Sequence, residues 1–139
     1  MNTIKNIKMK GLKFYVGTCN NSNWRNELIP LLKIDYFNPL VDDWTEDCYK
    51  HELEERKNSD FCLYTITPKM SGVYSIAEVI DDSNKRPQST ILVLLEIDDS
   101  IEFTEGQWKS LIAVAKMVSS NGGKVFTNLK VAAIYLNDA

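Results

Sequence analysis

Glu78 is the side chain in this sequence that is best suited to covalent chemistry. It lies among apolar residues that recur at i, i+3, i+4 and i+7, namely Val73, Ile76, Ala77 and Ile80. That period predicts an amphipathic helix whose apolar stripe faces a sheet, with Glu78 to one side. The positive end of the helix favours an ionised carboxylate, which can attack an anomeric carbon. The alternative is a solvated glutamate on a polar face, and periodicity alone favours it.

The segment before this glutamate also carries residues that could touch a ligand. Ser71, Gly72 and Ser75 surround the predicted helix start, where backbone N–H groups can hold a phosphate. Tyr74 comes one turn before Glu78. We therefore treat these four residues as candidate substrate-binding residues.

Two further polar loops follow strand-like segments. Gly17 and Thr18 open the first loop, where glycine lets a backbone approach a ligand, although a plain polar turn explains it equally well. The loop matches neither a P-loop nor GxGxxG. In the second loop, Asn38-Pro39 predicts an extended exit from the strand.

The second loop ends on acidic and aromatic side chains. Asp42 or Asp43 could accept hydrogen bonds from sugar hydroxyls or ring amines, and Trp44 could cover a ring. The alternative is that Asp43 caps the next helix while Trp44 packs in the core, which we favour for Trp44. In the following acidic segment, Glu52 could point at the same edge of the predicted sheet as these loop residues. Its alternative role is an i,i+4 pair with Arg56, which would contribute about 0.2–0.5 kcal/mol.

Alternating strand-like and helix-like segments must position these residues. The strand-like segments are 12–17, 34–37, 61–67, 90–97 and 124–127, and helix-length segments separate them. This pattern predicts an α/β domain with right-handed crossovers and a five-stranded parallel sheet in the order 2-1-3-4-5. Ligands bind such sheets beyond the carboxyl ends of the strands, at the switch point between the first and third strands. The loops 17–21, 38–44 and 67–72 and the segment after residue 97 are therefore expected to meet there.

Composition excludes several classes of function. The chain has 139 residues, 44% of them hydrophobic, and we expect one domain over 1–139, with 1–11 as a flexible N-terminal segment. A net charge of −3 favours neither a nucleic acid polymer nor an acidic membrane as partner. Three widely spaced cysteines and a single histidine predict free thiols, no metal site and no cofactor. With no signal-peptide pattern at the N-terminus, we expect a cytoplasmic protein.

Four sequence segments, taken together, resemble the nucleoside 2-deoxyribosyltransferase-like family. They are YVGT at 15–18, FNPLVDDW at 37–44, the acidic segment leading into SDF at 59–61, and Ser-x-x-Glu at 75–78. The resemblance covers roughly residues 13–97 and implies a flavodoxin-like three-layer sandwich. It also implies a small-molecule nucleoside or nucleotide as substrate, and a homo-oligomer in which subunits share residues.

The resemblance gives individual residues a role in a double displacement at the sugar C1′. Glu78 matches the family's nucleophile, and Glu52 matches an acidic position that helps to bind the sugar or base. Further matching positions in the first two loops are Gly17, Thr18, Asn38, Asp42 and Asp43. Gly72 stands where characterised transferases carry an aspartate that handles the base. Val79-Ile80-Asp81-Asp82 replaces the family's usual Leu-Gly-x-Ala.

Two functions follow from these observations. The first is an enzyme that acts on the N-glycosidic bond of a (deoxy)nucleoside, by transfer or hydrolysis, or on a deoxynucleoside 5′-monophosphate. The second is a non-catalytic nucleotide-binding or sequestering module built on the same fold. Fold alone does not decide between them.

Overall fold

The computed structural model describes residues 11–14, 22–37, 45–47, 50, 54 and 59–138. Seven strands lie in this part of the chain: β1 (Gly11–Phe14), β2 (Asp35–Phe37), β3 (Phe61–Ile66), β4 (Thr90–Leu94), β5 (Ile97–Asp98), β6 (Ile101–Glu102) and β7 (Lys124–Phe126). The helices with complete bounds are α1 (Trp24–Leu28), α2 (Tyr74–Lys85), α3 (Glu105–Ser120) and α4 (Leu129–Asp138). Short 3-10 turns occupy Ile29–Leu31 and Pro87–Ser89. Glu46, Asp47, Lys50 and Glu54 are also helical.

The main sheet is parallel, and its strands follow the order β2-β1-β3-β4-β7. The longest ladder joins β3 and β4, from Cys62 beside Thr90 to Ile66 beside Leu94. Strands β1 and β3 pair from Leu12 beside Phe61. The prediction of an α/β domain around a parallel sheet is confirmed, because each of these neighbouring strands runs in the same direction.

Helices cover both faces of this sheet. Successive strand residues point to opposite faces, so every residue of β3 and β4 is buried. One face carries Phe61, Leu63, Ile91 and Val93 against α1 and α4. The other carries Cys62, Tyr64, Ile66, Leu92 and Leu94 against α2 and α3. The nearly continuous apolar run of β4 reflects this burial on two sides.

Helix boundaries follow local sequence signals. Gln107 N donates to Thr104 Oγ1 at 3.1 Å, and Thr104 N donates to Gln107 Oε1 at 3.0 Å, so these two residues form the capping box of α3. Gly122 ends this helix with a φ of +105°. Pro30 lies in the 3-10 turn that follows α1, and the helix itself has only five residues.

Two expectations from the sequence are wrong. The strand predicted over 90–97 ends at Leu94, and Ile97 belongs instead to the β5–β6 hairpin. The hairpin turns at Asp99 and Ser100, whose φ values are 50° and 69°. Tight two-residue hairpin turns require positive φ values of this kind, and the spacing of apolar residues does not reveal them.

The second error concerns Val73 and Ala77, two of the four apolar residues of α2 that were expected to face the sheet. The buried residues of this helix are Ser75, Glu78, Val79, Asp82 and Ser83, whereas Val73 and Ala77 are exposed and Ile76 and Ile80 are half-buried. Ile76 and Ile80 still pack against the core, but polar side chains share the buried side of the helix with them. The reason is a set of polar partners inside: the Tyr64 hydroxyl donates to Asp82 Oδ2, and Arg86 Nη2 donates to Asp82 Oδ1 at 2.6 Å.

Candidate functional site

A tight turn links the carboxyl end of β3 to α2. Thr67, the first residue after the strand, is fully buried. Its hydroxyl accepts a hydrogen bond from Lys69 N at 3.0 Å, and its carbonyl accepts one from Met70 N at 3.0 Å. These bonds reverse the chain within three residues, so α2 starts at the carboxyl edge of the sheet, where α/β proteins bind ligands.

Glu78 lies in the second turn of α2 and is only 7% exposed. Ser75, three residues earlier on the same side of the helix, is completely buried. The alternative of a solvated glutamate on a polar face is therefore wrong. Burial removes much of the water that would stabilise a carboxylate, and Glu78 and Ser75 each make contacts within the protein.

A second group of polar side chains joins three distant segments at the same edge. The Ser22 hydroxyl, just before α1, donates to Asp98 Oδ2 at 2.5 Å, and Lys69 Nζ donates to Asp99 Oδ2. Asp98 and Asp99 belong to the hairpin after β4, so this hairpin is tied to the turns beside α1 and α2. The hydrogen bond to Asp99 raises the pKa of Lys69, desolvation lowers it, and the charges of Asp99 and Asp98 raise it further, with a net rise above 10.5.

Sequence reasoning missed the members of this second group as functional candidates. Ser22, Lys69 and Asp98 belong to no motif that singles them out. One signal was available, because the segment after residue 97 follows a predicted strand at the ligand edge. Their partnership could not be predicted, since Ser22 and Asp98 are 76 residues apart.

A cavity of about 440 Å³ opens between the N-terminal halves of α2 and α3. The described residues that line it are Met70, Ser71, Gly72, Val73, Ile76, Phe103, Gly106, Gln107, Ser110 and Leu111. Ser71 and Gly72, both predicted site residues, therefore lie at this cavity. The size is that of a typical small-molecule pocket.

The predicted residues around α2 do not form one cluster. Ser75 and Glu78 are buried on the side of α2 that faces the sheet, Ser71 and Gly72 line the cavity beside α3, and Tyr74 is 75% exposed. Ser75 is buried, whereas Ser71 and Gly72, with which it was expected to hold a phosphate, are exposed. The remaining predicted residues lie outside the described residues: Gly17, Thr18, Asn38, Asp42, Asp43, Trp44 and Glu52.

Neither a metal site nor a membrane-spanning helix is found among the residues that the structure describes. Within them, no group of three or more His, Cys, Asp or Glu side chains has the arrangement of a metal site. No helix in the described segments has the length and apolar character needed to cross a membrane.

Comparison with known proteins gives no family for this chain. Neither a protein-family model nor a curated protein matches it.

Proposed function

We propose that this protein catalyses glycosyl transfer or hydrolysis at the N-glycosidic bond of a (deoxy)nucleoside or nucleotide, with Glu78 as the nucleophile. The observation that carries the proposal is the position of Glu78: it is 7% exposed, on the sheet-facing side of a helix that starts at the carboxyl end of β3. Carboxylates that sit desolvated at a ligand edge are candidates for covalent catalysis. The resemblance of the Ser75-to-Glu78 segment to deoxyribosyltransferases supports the same role.

The proposed fold and assembly follow the same resemblance. A parallel sheet with helices on both faces is compatible with a flavodoxin-like sandwich. In that fold the ligand lies at the switch point between β1 and β3. The predicted loops 17–21 and 38–44 follow β1 and β2, so they would supply the sugar and base contacts. The proposal includes a homo-oligomer as the working form.

The reaction has two displacements. In the first, a Glu78 carboxylate oxygen bonds to C1′ while the C1′–N bond breaks, and the electron pair leaves with the base. In the second, the nitrogen of an acceptor base or a water oxygen attacks C1′, and Glu78 leaves as a carboxylate. Two inversions retain the configuration at C1′. The departing base takes up one proton, and the second nucleophile gives one up.

One observation favours a non-catalytic nucleotide-binding module as a second candidate. Position 72 is a glycine at the lining of the cavity, so no side chain is present there to protonate a departing base. A module that only binds a nucleotide needs no such group. The two candidates differ in whether the C1′–N bond ever breaks.

The test follows base release directly. The protein is incubated with deoxynucleosides and their 5′-monophosphates, with and without an acceptor base, and the products are separated chromatographically. We expect free base or exchanged nucleoside, and a loss of roughly a thousandfold or more in Glu78→Gln, which keeps the shape but removes the nucleophile. Glu105→Gln is the matched control, because Glu105 is an exposed glutamate at the start of α3.

The intermediate gives a second readout. Mass spectrometry of protein quenched during turnover should find one deoxyribosyl group on the peptide that contains Glu78. Equal base release by Glu78→Gln and native protein would remove Glu78 as the nucleophile. If no substrate turns over while a nucleotide raises the melting temperature, the protein is a non-catalytic nucleotide-binding module and not an enzyme of this kind.

A further inference from the structure

The cavity between α2 and α3 has an apolar floor and a mainly polar rim. Leu111, at the floor, is 5% exposed, and three partly buried hydrophobic side chains that line the cavity also pack against the core: Met70, Ile76 and Phe103. Apart from Val73, the exposed lining residues are small or polar: Ser71, Gly72, Gly106, Gln107 and Ser110. Small-molecule sites have this make-up, because apolar walls bind the body of a ligand and a few polar groups orient it.

This cavity is distinct from the carboxylate that we propose as the nucleophile. Glu78 is not among the described residues that line it, and it is buried on the side of α2 that faces the sheet. Ile76 does line the cavity. Residues two positions apart on a helix do not face each other. A ligand in the cavity would therefore contact a different side of α2 from a ligand at Glu78.

The charges around the cavity favour an uncharged ligand. None of the described residues that line it has a charged side chain. At the start of α3, Thr104 and Gln107 already cap the helix, and Glu105 adds a negative charge to its first turn. The start of α2 offers only the partial positive charge of a helix end. A phosphate or carboxylate would thus meet no cationic side chain among these residues, so the cavity is poorly suited to a nucleotide.

Phe103 gives the cavity a preformed flat wall. Its ring stacks on that of Trp108, with the ring centroids 5.9 Å apart and 29° between the planes. The ring is therefore held in position before a ligand arrives, which lowers the entropy that binding costs. Aromatic rings pack favourably against another ring and against a methionine thioether, and Met70 lines the same cavity. These walls favour a flat aromatic ligand.

Gly106 leaves space at the α3 side of the cavity. It is the second residue of α3, where alanine would lose less conformational entropy on folding than glycine does. A Cβ at this position would meet no atom of the described residues within 4 Å, so close packing does not require a glycine there. The absence of a side chain instead leaves open volume at the lining of the cavity.

We propose that this cavity is a second ligand site, which binds a small, uncharged aromatic molecule with a hydrogen-bonding group at its edge. The ring packs against Phe103, Met70 and Ile76. Ser71, Ser110 and Gln107 supply polar groups at the rim; the capping box engages Oε1 of Gln107, which leaves Nε2 to donate. The volume of about 440 Å³ lies in the lower part of the range of small-molecule sites, which suits a molecule of one or two rings.

Titration with indole, followed by NMR of the ¹⁵N-labelled protein, tests this site, because indole is flat, uncharged and carries one N–H donor. We expect saturable shifts of the backbone amides of Gly72, Gly106 and Gln107. The dissociation constant should be roughly 1 mM or lower, which the ligand efficiency of so small a molecule allows. Absence of saturable shifts at these amides up to about ten times that concentration would overturn the proposal.

Two comparisons of probes test the chemical class of the ligand. Indole-3-acetamide and indole-3-acetate have the same shape but differ in charge, and we expect the uncharged amide to bind more tightly. Cyclohexanol, which is uncharged but not flat, should bind more weakly than indole. Tighter binding of the acetate would refute the preference for an uncharged ligand, and equal binding of cyclohexanol would refute the preference for an aromatic one.

Filling the cavity tests its location. Gly106→Leu adds a side chain at the lining, where a Cβ has free space, and should raise the dissociation constant for indole about tenfold or more. Ala113→Leu is the matched control, because Ala113 is exposed on the same helix and is not among the described lining residues. Melting followed by circular dichroism verifies that both variants fold. Native-like indole binding by a folded Gly106→Leu would overturn the proposed site.

These titrations involve no turnover, so their result is independent of the proposed glycosidic reaction. Glu78→Gln, which should abolish base release, should bind indole within about twofold of the native protein, because Glu78 does not line the cavity. Loss of indole binding in a folded Glu78→Gln variant would contradict a separate site. An inert Glu78 with unchanged indole binding would remove the proposed reaction and leave the second site in place.

Discussion

Asp82 provides the sharpest prediction about stability, because it is a buried carboxylate that holds α2 on the sheet. It is 1% exposed, it accepts from the Tyr64 hydroxyl, and it accepts from Arg86 Nη2 at 2.6 Å. Tyr64 is completely buried, whereas the Arg86 side chain is 33% exposed. Replacing Asp82 with alanine leaves the tyrosine hydroxyl buried without this acceptor.

The expected magnitude follows from these burials. A hydrogen bond to a charged group contributes about 1.5–3 kcal/mol, and an unsatisfied buried hydroxyl costs about 1–3 kcal/mol. The contact with Arg86 contributes less to the free energy of unfolding, because solvent screens a partly exposed partner. We expect Asp82→Ala to lower the free energy of unfolding by about 3 kcal/mol, which in a domain of this size lowers Tm by about 10 °C. Tyr64→Phe keeps the Arg86 contact and should cost about 1.5 kcal/mol.

Urea unfolding followed by circular dichroism measures both variants. Glu105→Ala is the control, because it removes an exposed i,i+4 pair: Glu105 Oε1 lies 3.6 Å from Lys109 Nζ, with both side chains largely in solvent. It should cost less than about 1 kcal/mol. If Asp82→Ala were as stable as Glu105→Ala, Asp82 would not be what orients α2.

Two further predictions concern substitutions at two separate glycines and the ion pair between Lys69 and Asp99. A Cβ at position 123 would lie 2.7 Å from Val118 Cγ1, so Gly123→Ala should destabilise the protein by about 1–3 kcal/mol. A Cβ at position 106 meets nothing within 4 Å, so Gly106→Ala should stabilise α3 by about 0.5–1 kcal/mol. Thermal melting that ranked the two variants the other way would contradict the packing around these glycines. Because the pKa of Lys69 is raised above 10.5 by its contact with Asp99, its contribution to stability is complete below pH 10.5 and is lost as the pH rises through the folded pKa. Urea midpoints of native protein and Asp99→Asn should therefore differ at neutral pH and converge in strong alkali, and a gap that widened there would refute the ion pair.

Local signals in the sequence determined most of the secondary structure. The run of apolar residues at 90–94 is a strand because it is buried on both faces, and the Thr104-to-Gln107 capping box starts α3. Alternation of such segments indicated a parallel α/β domain. These features depend on residues a few positions apart, so each can be recognised without knowledge of the rest of the chain.

Only the tertiary structure decided which side of α2 is buried and which groups meet at the edge of the sheet. Apolar spacing in α2 predicted that Val73, Ile76, Ala77 and Ile80 all face the sheet, but Tyr64 and Arg86 hold Asp82 inside, and Val73 and Ala77 are exposed. This changed Glu78 from an expected surface residue to a buried one. The link from Ser22 to the hairpin after β4 spans 76 residues. Contacts between residues this far apart in sequence form only when the whole sheet packs. The spacing of apolar residues shows how apolar a helix face is, but it does not show which polar groups that face will contact.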